Sequence, residues 1–307
     1  MTQFYWFSFL KQGSIVAAGL TGMAYLTICL ILYIAQNRII FKPTDVIETT
    51  PSALGLVYEE LWLPVPTLTG KVERIHGWWL PATSQSKGVL LYFHGNGENI
   101  GANLDHAKRF QALGFSVLLI DYRGYGRSEG GFPSEAKVYE DGEVAWNYLL
   151  KQRKVNAQDI FIYGHSLGGA IAIELATRHP DAAGLIVESS FTSIREMAGY
   201  AKIYEFFPIE MILHQKFDSV SKIPQLKMPL LIIHGTEDTV VPALMSQVLF
   251  DTALVPKKLF IVPDADHNDV ASVSGTAYLE TIKEFYQLVR NLNRVRRSEF
   301  GVKKSMS

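Results

Sequence analysis

Charged side chains are absent from Gln12 to Asn37, and within that window the 22 residues Ser14–Ala35 are mostly apolar. As a helix rising 1.5 Å per residue, such a run is about 33 Å long and crosses a hydrocarbon core of about 30 Å. Phe4, Tyr5, Trp6, Phe7 and Phe9 precede it, where an interfacial aromatic belt would lie. The run is long for a signal peptide and no A-x-A cleavage pattern follows it, so the pattern predicts an uncleaved single-pass anchor. The α-amine and Lys11 on one flank balance Arg38 and Lys42 on the other, so the positive-inside rule picks no side. Residues 1–42 are therefore read as the anchor, with the span over 14–35.

After the anchor the rhythm changes twice. Pro43, Pro51, Pro64 and Pro66 punctuate a stretch in which Leu56–Leu63 and Val72–Leu80 alternate as an antiparallel pair. Short apolar runs then recur at Val89–Phe93, Val117–Ile120, Ile160–Tyr163, Leu185–Val187, Leu230–Ile233 and Leu259–Val262. Unbroken runs of that length suit parallel strands buried on both faces. Helical patterns lie between or after them: Asn99–Leu113, Ser134–Gln152, Leu167–Arg178, Pro242–Ala253 and Ser274–Leu292. The alternation predicts an α/β fold with a mostly parallel, doubly wound sheet over residues 43–292. One connection is too long for that rhythm. Residues 190–227 carry the apolar, aromatic segment Met197–Leu213, read as a small helical cap over the carboxyl edge of the sheet. Residues 293–307 form a basic tail with Arg294, Arg296, Arg297, Lys303 and Lys304 against Glu299, read as a solvated, frayed terminus.

Composition narrows the classes. Lys plus Arg number 29 and Asp plus Glu 30, so no basic excess calls for nucleic acid. Cys29 is the sole cysteine, which rules out an internal disulfide or a cysteine-built metal site.

The strongest chemical signal is Gly164-His165-Ser166-Leu167-Gly168, a G-x-S-x-G between a predicted strand and a predicted helix. Its glycines allow a tight turn that lifts the serine hydroxyl above the sheet, beside the positive end of the helix dipole. A serine needs a base, and the base an orienting acid, in the order Ser, Asp or Glu, His. Asp238 follows one strand, 72 residues beyond Ser166, and His267 follows the last, 29 residues further. Glu237 and Glu188 are rival acids; Glu237 reads better as a solvated loop residue. Asp264, Asp266 and Asp269 crowd His267 and read as loop-forming. For an oxyanion hole, the backbone N–H of Leu167 faces that of Asn96 in the turn His94-Gly95-Asn96-Gly97, with Gly97 the neighbouring alternative.

These motifs, with Asp121-Tyr-Arg-Gly-Tyr-Gly-Arg-Ser128, together resemble the α/β-hydrolase superfamily over roughly residues 88–291. The nearest likeness is its membrane-anchored, serine aminopeptidase-like branch, which includes protein depalmitoylases and lipases. The resemblance implies a triad of Ser166, Asp238 and His267, oxyanion roles for Asn96 and Leu167, and a loop-shaping role for Asp121 and Arg123. No cofactor and no metal are expected. The expected partners are the bilayer, through the N-terminal helix, and a small-molecule or acylated substrate. The function expected is hydrolysis of an ester or thioester with a hydrophobic acyl group through an acyl-enzyme. Its alternatives are a serine peptidase and an inactive membrane-bound binding module.

Two other classes compete. Gly95-x-Gly97-x-x-x-Gly101 with Asp121 imitates a dinucleotide fingerprint, but its spacing is off by one and it leaves Ser166, Asp238 and His267 idle. His94, His165 and His234 at three strand ends imitate a zinc set, but each adjoins a motif glycine or serine.

Overall fold

The computed structural model describes residues 2–305 except Leu68 and Ala201; the side chains of residues 2–8, Ile203 and 296–305 are outside the description. The side chains of Phe4, Tyr5, Trp6 and Phe7, and of Arg296, Arg297, Glu299, Lys303 and Lys304, therefore lie outside the described residues.

Helix α1 runs Thr2–Ile40 and leads through an irregular stretch to strands β1 (Glu59–Pro66) and β2 (Val72–Leu80). Then follow β3 (Gly88–Phe93), α2 (Leu104–Ala112), β4 (Phe115–Ile120), α3 (Glu135–Lys151), β5 (Ile160–His165), α4 (Leu167–Arg178) and β6 (Gly184–Glu188). The long connection holds α5 (Ile194–Tyr200), α6 (Ile209–Ile212) and α7 (Ser219–Lys222), with 3-10 turns at Lys202–Phe206 and Ile223–Gln225. The chain ends with β7 (Leu230–Gly235), α8 (Ala243–Thr252), β8 (Lys257–Val262), α9 (Val270–Ser274) and α10 (Thr276–Ser305).

The eight strands make one sheet in the order β1-β2-β4-β3-β5-β6-β7-β8. β2 is antiparallel to both β1 and β4, and the remaining pairs are parallel. The unbroken apolar runs are explained by two cores. Leu91 and Phe93 of β3 face one, with Ile171 of α4 and Trp146 of α3; Leu90 and Tyr92 face the other, with Phe110 of α2 and Phe285 of α10. Successive side chains of a strand point to opposite faces, so a strand covered on both must be apolar throughout.

Three sequence expectations shift in detail. The N-terminal helix is longer than the residues 14–35 expected for the span: its stretch Phe9–Ile40 is long and apolar enough to cross a membrane. It continues through Gln36, Asn37 and Arg38 because Gln36 is buried against the insertion. The Gln36 amide donates to the Ile212 carbonyl (2.9 Å) and its oxygen accepts from the backbone N–H of His214 (2.8 Å) and Gln215 (2.9 Å). The helix expected over Asn99–Leu113 opens as a 3-10 turn, Ile100–Asn103, before α2. The last helix breaks at Gly275 and its backbone then stays helical to Ser305, where a frayed terminus was expected.

α4 lies unusually close to the strands beneath it. A Cβ on Gly164 would stand 2.1 Å from the Gly168 carbonyl oxygen, and one on Gly168 would stand 2.2 Å from that of Phe93. Alanine in a helix gains up to about 1 kcal/mol over glycine, but contacts that short force backbone apart, and the clash wins. Gly168→Ala is expected to lose about 3 kcal/mol or more of stability. Gly131→Ala, whose Cβ would meet only the end of the Lys137 side chain at 3.7 Å, is the control. Thermal unfolding of both in detergent checks this; equal midpoints would contradict it.

Candidate active site

Ser166 occupies the turn from β5 into α4, with φ 53° and ψ −119°. A non-glycine residue there costs on the order of 1–3 kcal/mol and must be held by its surroundings. Its N–H donates to the Glu188 carbonyl (2.9 Å), and its own carbonyl accepts from Ser190 Oγ (2.8 Å) and the Gly169 N–H (2.9 Å). The close approach at Gly164 and Gly168 is what lets the turn be this tight.

His267 lies in the loop after β8, and Asp238 in the loop after β7. His267 Nε2 is 3.0 Å from Ser166 Oγ, and His267 Nδ1 is 2.7 Å from Asp238 Oδ2. A carboxylate only accepts, so Nδ1 carries the proton and Nε2 is left to accept from the serine hydroxyl. The sheet thus brings together the three side chains that sequence spacing singled out. Asp238 is fixed from four directions: Oδ1 accepts from the N–H of Val240 (2.9 Å) and Val241 (2.7 Å), Oδ2 accepts from His267, and His234 Nε2, which also donates to the Val241 carbonyl (2.9 Å), lies 3.0 Å from Oδ2. Burial pushes this carboxyl upward, but the bonds from His234, His267 and the Val241 N–H outweigh it and hold it well below the usual carboxylate range.

The rival residues are placed elsewhere. Glu237 is exposed. Glu188 is buried, its Oε2 accepting from the hydroxyls of Tyr163 (3.0 Å) and Tyr278 (2.7 Å). Asp266 and Asp269 shape the histidine loop: Asp266 Oδ1 accepts from the N–H of Thr239 (2.9 Å) and His267 (2.7 Å), and Asp269 Oδ1 accepts from the Asp266 N–H (2.7 Å).

The histidines weighed as zinc ligands have other partners. His94 Nδ1 lies 2.7 Å from the Gly95 carbonyl; His234 Nδ1 lies 2.6 Å from Ser246 Oγ. His165 Nε2 donates to the backbone carbonyl of His267 (3.0 Å), so the residue beside the serine pins the loop that carries the imidazole. Among the described residues no group of three or more His, Cys, Asp or Glu is gathered as a metal site. His165 and His234 are the positioning residues that sequence reasoning passed over. Their only signal was a histidine adjoining the Ser motif and one ending the strand before Asp238.

Leu167 is the first residue of α4, so its N–H has no partner within the helix. Asn96 lies in the turn after β3, beside the serine: a Cβ on Gly95 would be 3.3 Å from Ser166 Cβ. The Asn96 side chain is occupied elsewhere. Its oxygen accepts from the Lys42 N–H (2.8 Å) and the Tyr125 hydroxyl (2.8 Å), and its amide donates to the Ile40 carbonyl at the end of α1. Behind this turn, Asp121 Oδ1 accepts from the Ile100 N–H (2.9 Å) and Arg123 Nε donates to buried Asp141 (2.7 Å), so both act in shaping the loop.

The fold and these pairings are those of an α/β hydrolase, and comparison with known proteins agrees. The family model described as "Serine aminopeptidase, S33" matches residues 84–221. Protein bem46 of Schizosaccharomyces pombe is 34% identical over 279 residues, 86% of this chain and 91% of its own. Human alpha/beta hydrolase domain-containing protein 17B is 32% identical over 222 residues, 71% of this chain and 73% of its own. Among solved structures, the Pyrococcus furiosus esterase Pf2001 superposes with a TM-score of 0.68 at 19% identity, covering 82% of this chain and 98% of that one. The chain belongs to the α/β-hydrolase superfamily, among its alpha/beta hydrolase domain-containing proteins.

Burial lowers the pKa of His165 to about 4, and lowers those of His94 and His106 as well. An unfolded histidine titrates near 6.5. Between pH 6.5 and about 4 the unfolded chain therefore binds a proton that folded His165 does not. Stability must drop as pH is lowered through that window, by on the order of 1 kcal/mol per pH unit. His165→Gln, which keeps a donor for the His267 carbonyl, is expected to weaken that dependence. Urea unfolding at pH 7.5, 6 and 5 checks it; an unchanged pH slope would contradict it.

Proposed function

We propose that this protein is a membrane-anchored serine hydrolase that cleaves an ester or thioester bearing a hydrophobic acyl group. The observation that carries the reading is the hydroxyl–imidazole–carboxylate relay, 3.0 Å and 2.7 Å between partners, at the mouth of a strained turn. Ser166 Oγ attacks the acyl carbonyl while His267 Nε2 takes its proton. Asp238 holds the imidazole in the right tautomer and stabilises its cation. The N–H groups of Leu167 and Asn96 receive the oxyanion; one such donor contributes about 3–4 kcal/mol in the transition state. His267 then protonates the leaving group, and a water deprotonated by His267 releases the acyl group from Ser166.

The acyl preference is supported by α1, whose side chains Ile15, Val16, Leu20, Met23, Leu26 and Ile34 are exposed and apolar, as a helix in lipid requires. It is supported too by the apolar insertion beside it. A peptidase reading has one observation in its favour, the description of the matching family.

A fluorophosphonate probe is expected to label the wild type and not Ser166→Ala; equal labelling of the two would remove the reading. Asp238→Asn is expected to lower kcat by about 10⁴ with little change in fold. Across p-nitrophenyl esters of rising chain length, with an aminoacyl amide alongside, kcat/KM is expected to rise with chain length. A strong preference for the acetyl ester, or for the amide, would defeat the acyl assignment.

A further inference from the structure

Between α1 and the insertion lies a cavity of about 220 Å³, walled by Leu32, Ile39 and Ile40 on the anchor side and by Ile194, Met197 and Ile209 on the other. We propose that this cavity is an acyl-chain groove open to the bilayer, in which the membrane helix itself forms one wall and a single linear acyl chain is the ligand. The inference rests on the serine-hydrolase reading and adds where the chain lies and how it enters.

Each wall is tied to the turn of Ser166 through a short segment of chain. The anchor wall ends at Ile40, whose carbonyl accepts from the Asn96 side chain, and Asn96 follows Gly95, which abuts Ser166. The opposite wall begins at Ile194, four residues after Ser190, whose Oγ donates to the Ser166 carbonyl. A chain esterified to Ser166 would leave the serine between these two segments. From Ile40 back to Leu32 the helical wall extends about 12 Å at 1.5 Å per residue.

The far end of the groove meets the membrane. The apolar stretch Phe9–Ile40 has 32 residues. As a helix it spans about 48 Å against a core of about 30 Å, so its last turns stand at or above the interface. The insertion packs along the second half of this stretch: Tyr25 stacks on Phe207 (5.7 Å between ring centres) and its hydroxyl donates to the Phe206 carbonyl (3.1 Å), while Tyr33 packs on His214 (5.0 Å). Beside these contacts Phe206 and Met211 are 75% and 83% exposed, apolar side chains at the level where α1 enters lipid. A soluble substrate gives no reason for such a rim; a chain sliding in from the leaflet does. Gln36, the one polar side chain among the anchor residues of the wall, has its amide and oxygen committed to backbone of residues 212, 214 and 215, leaving an apolar passage.

The test uses full-length protein in phosphatidylcholine nanodiscs and an alkyl fluorophosphonate with a terminal diazirine. Ser166 Oγ bonds to phosphorus, fluoride leaves, and the serine proton passes to His267; light then releases nitrogen and the carbene inserts into its neighbour. Mass spectrometry is expected to find the tail attached to α1 between Leu32 and Ile40 or to the insertion. Tail attachment only elsewhere in the protein would overturn the groove while leaving the hydrolase reading intact. No attachment to Ser166 would remove both. In a second measurement, Leu32→Trp and Ala198→Trp fill the cavity. Each is expected to lower kcat/KM for a long-chain ester about tenfold or more while sparing the acetyl ester. Equal losses on both esters, or none, would contradict the groove.

Discussion

The geometry of the whole site depends on one backbone constraint, the positive φ of Ser166 between β5 and α4. That conformation is unfavourable by itself. It survives because no Cβ stands at positions 164 or 168, so α4 can settle onto β3 and β5, and because Glu188 and Ser190 grip the serine backbone from the neighbouring strand. Everything else is arranged around the hydroxyl this turn exposes. His267 reaches it from the loop after β8, and that loop is held by His165, the residue next to the serine. Apart from the imidazole, Asp238 is held by the N–H groups of Val240 and Val241 and by His234 Nε2 at 3.0 Å, so the acid is fixed independently of substrate.

Much of this was legible in the sequence because the periodicities were unambiguous. Strands covered on both faces must be continuously apolar, so the runs that become β3 to β8 stood out, and their carboxyl ends carried Asn96, Ser166, Asp238 and His267. What was illegible follows from physics as well. His165 and His234 adjoin the motifs but have no spacing of their own, and their work is done through backbone and carboxylate contacts that only the folded loops create. The anchor's contact with the insertion was hidden because α1 is apolar on every side. Such a helix offers no amphipathic stripe to say which face meets protein and which meets lipid. Gln36 marks that contact, as Asn96 marks the one between the end of α1 and the turn after β3, and nothing in the pattern separates an amide that fills such a role from one on the surface.

The consequence is a tighter union of the N-terminal helix and the hydrolase domain than a flexible linker would give. The end of α1 is bonded to the turn carrying a proposed oxyanion donor, and its last turns are packed on the insertion. Retention at lipid and construction of the site would then be two effects of one helix. A membrane helix that only held the protein in place would need neither the buried glutamine nor the asparagine clamp.

In the proposed reaction a covalent acyl group passes through Ser166. Rapid acid quench of full-length protein with a p-nitrophenyl ester, followed by peptide mass spectrometry, tests it most directly. A burst of nitrophenol close to one equivalent is expected, with an acyl mass on the peptide containing Ser166 that is absent in His267→Ala. Turnover without any acylated peptide, or with the acyl group on another residue, would contradict it.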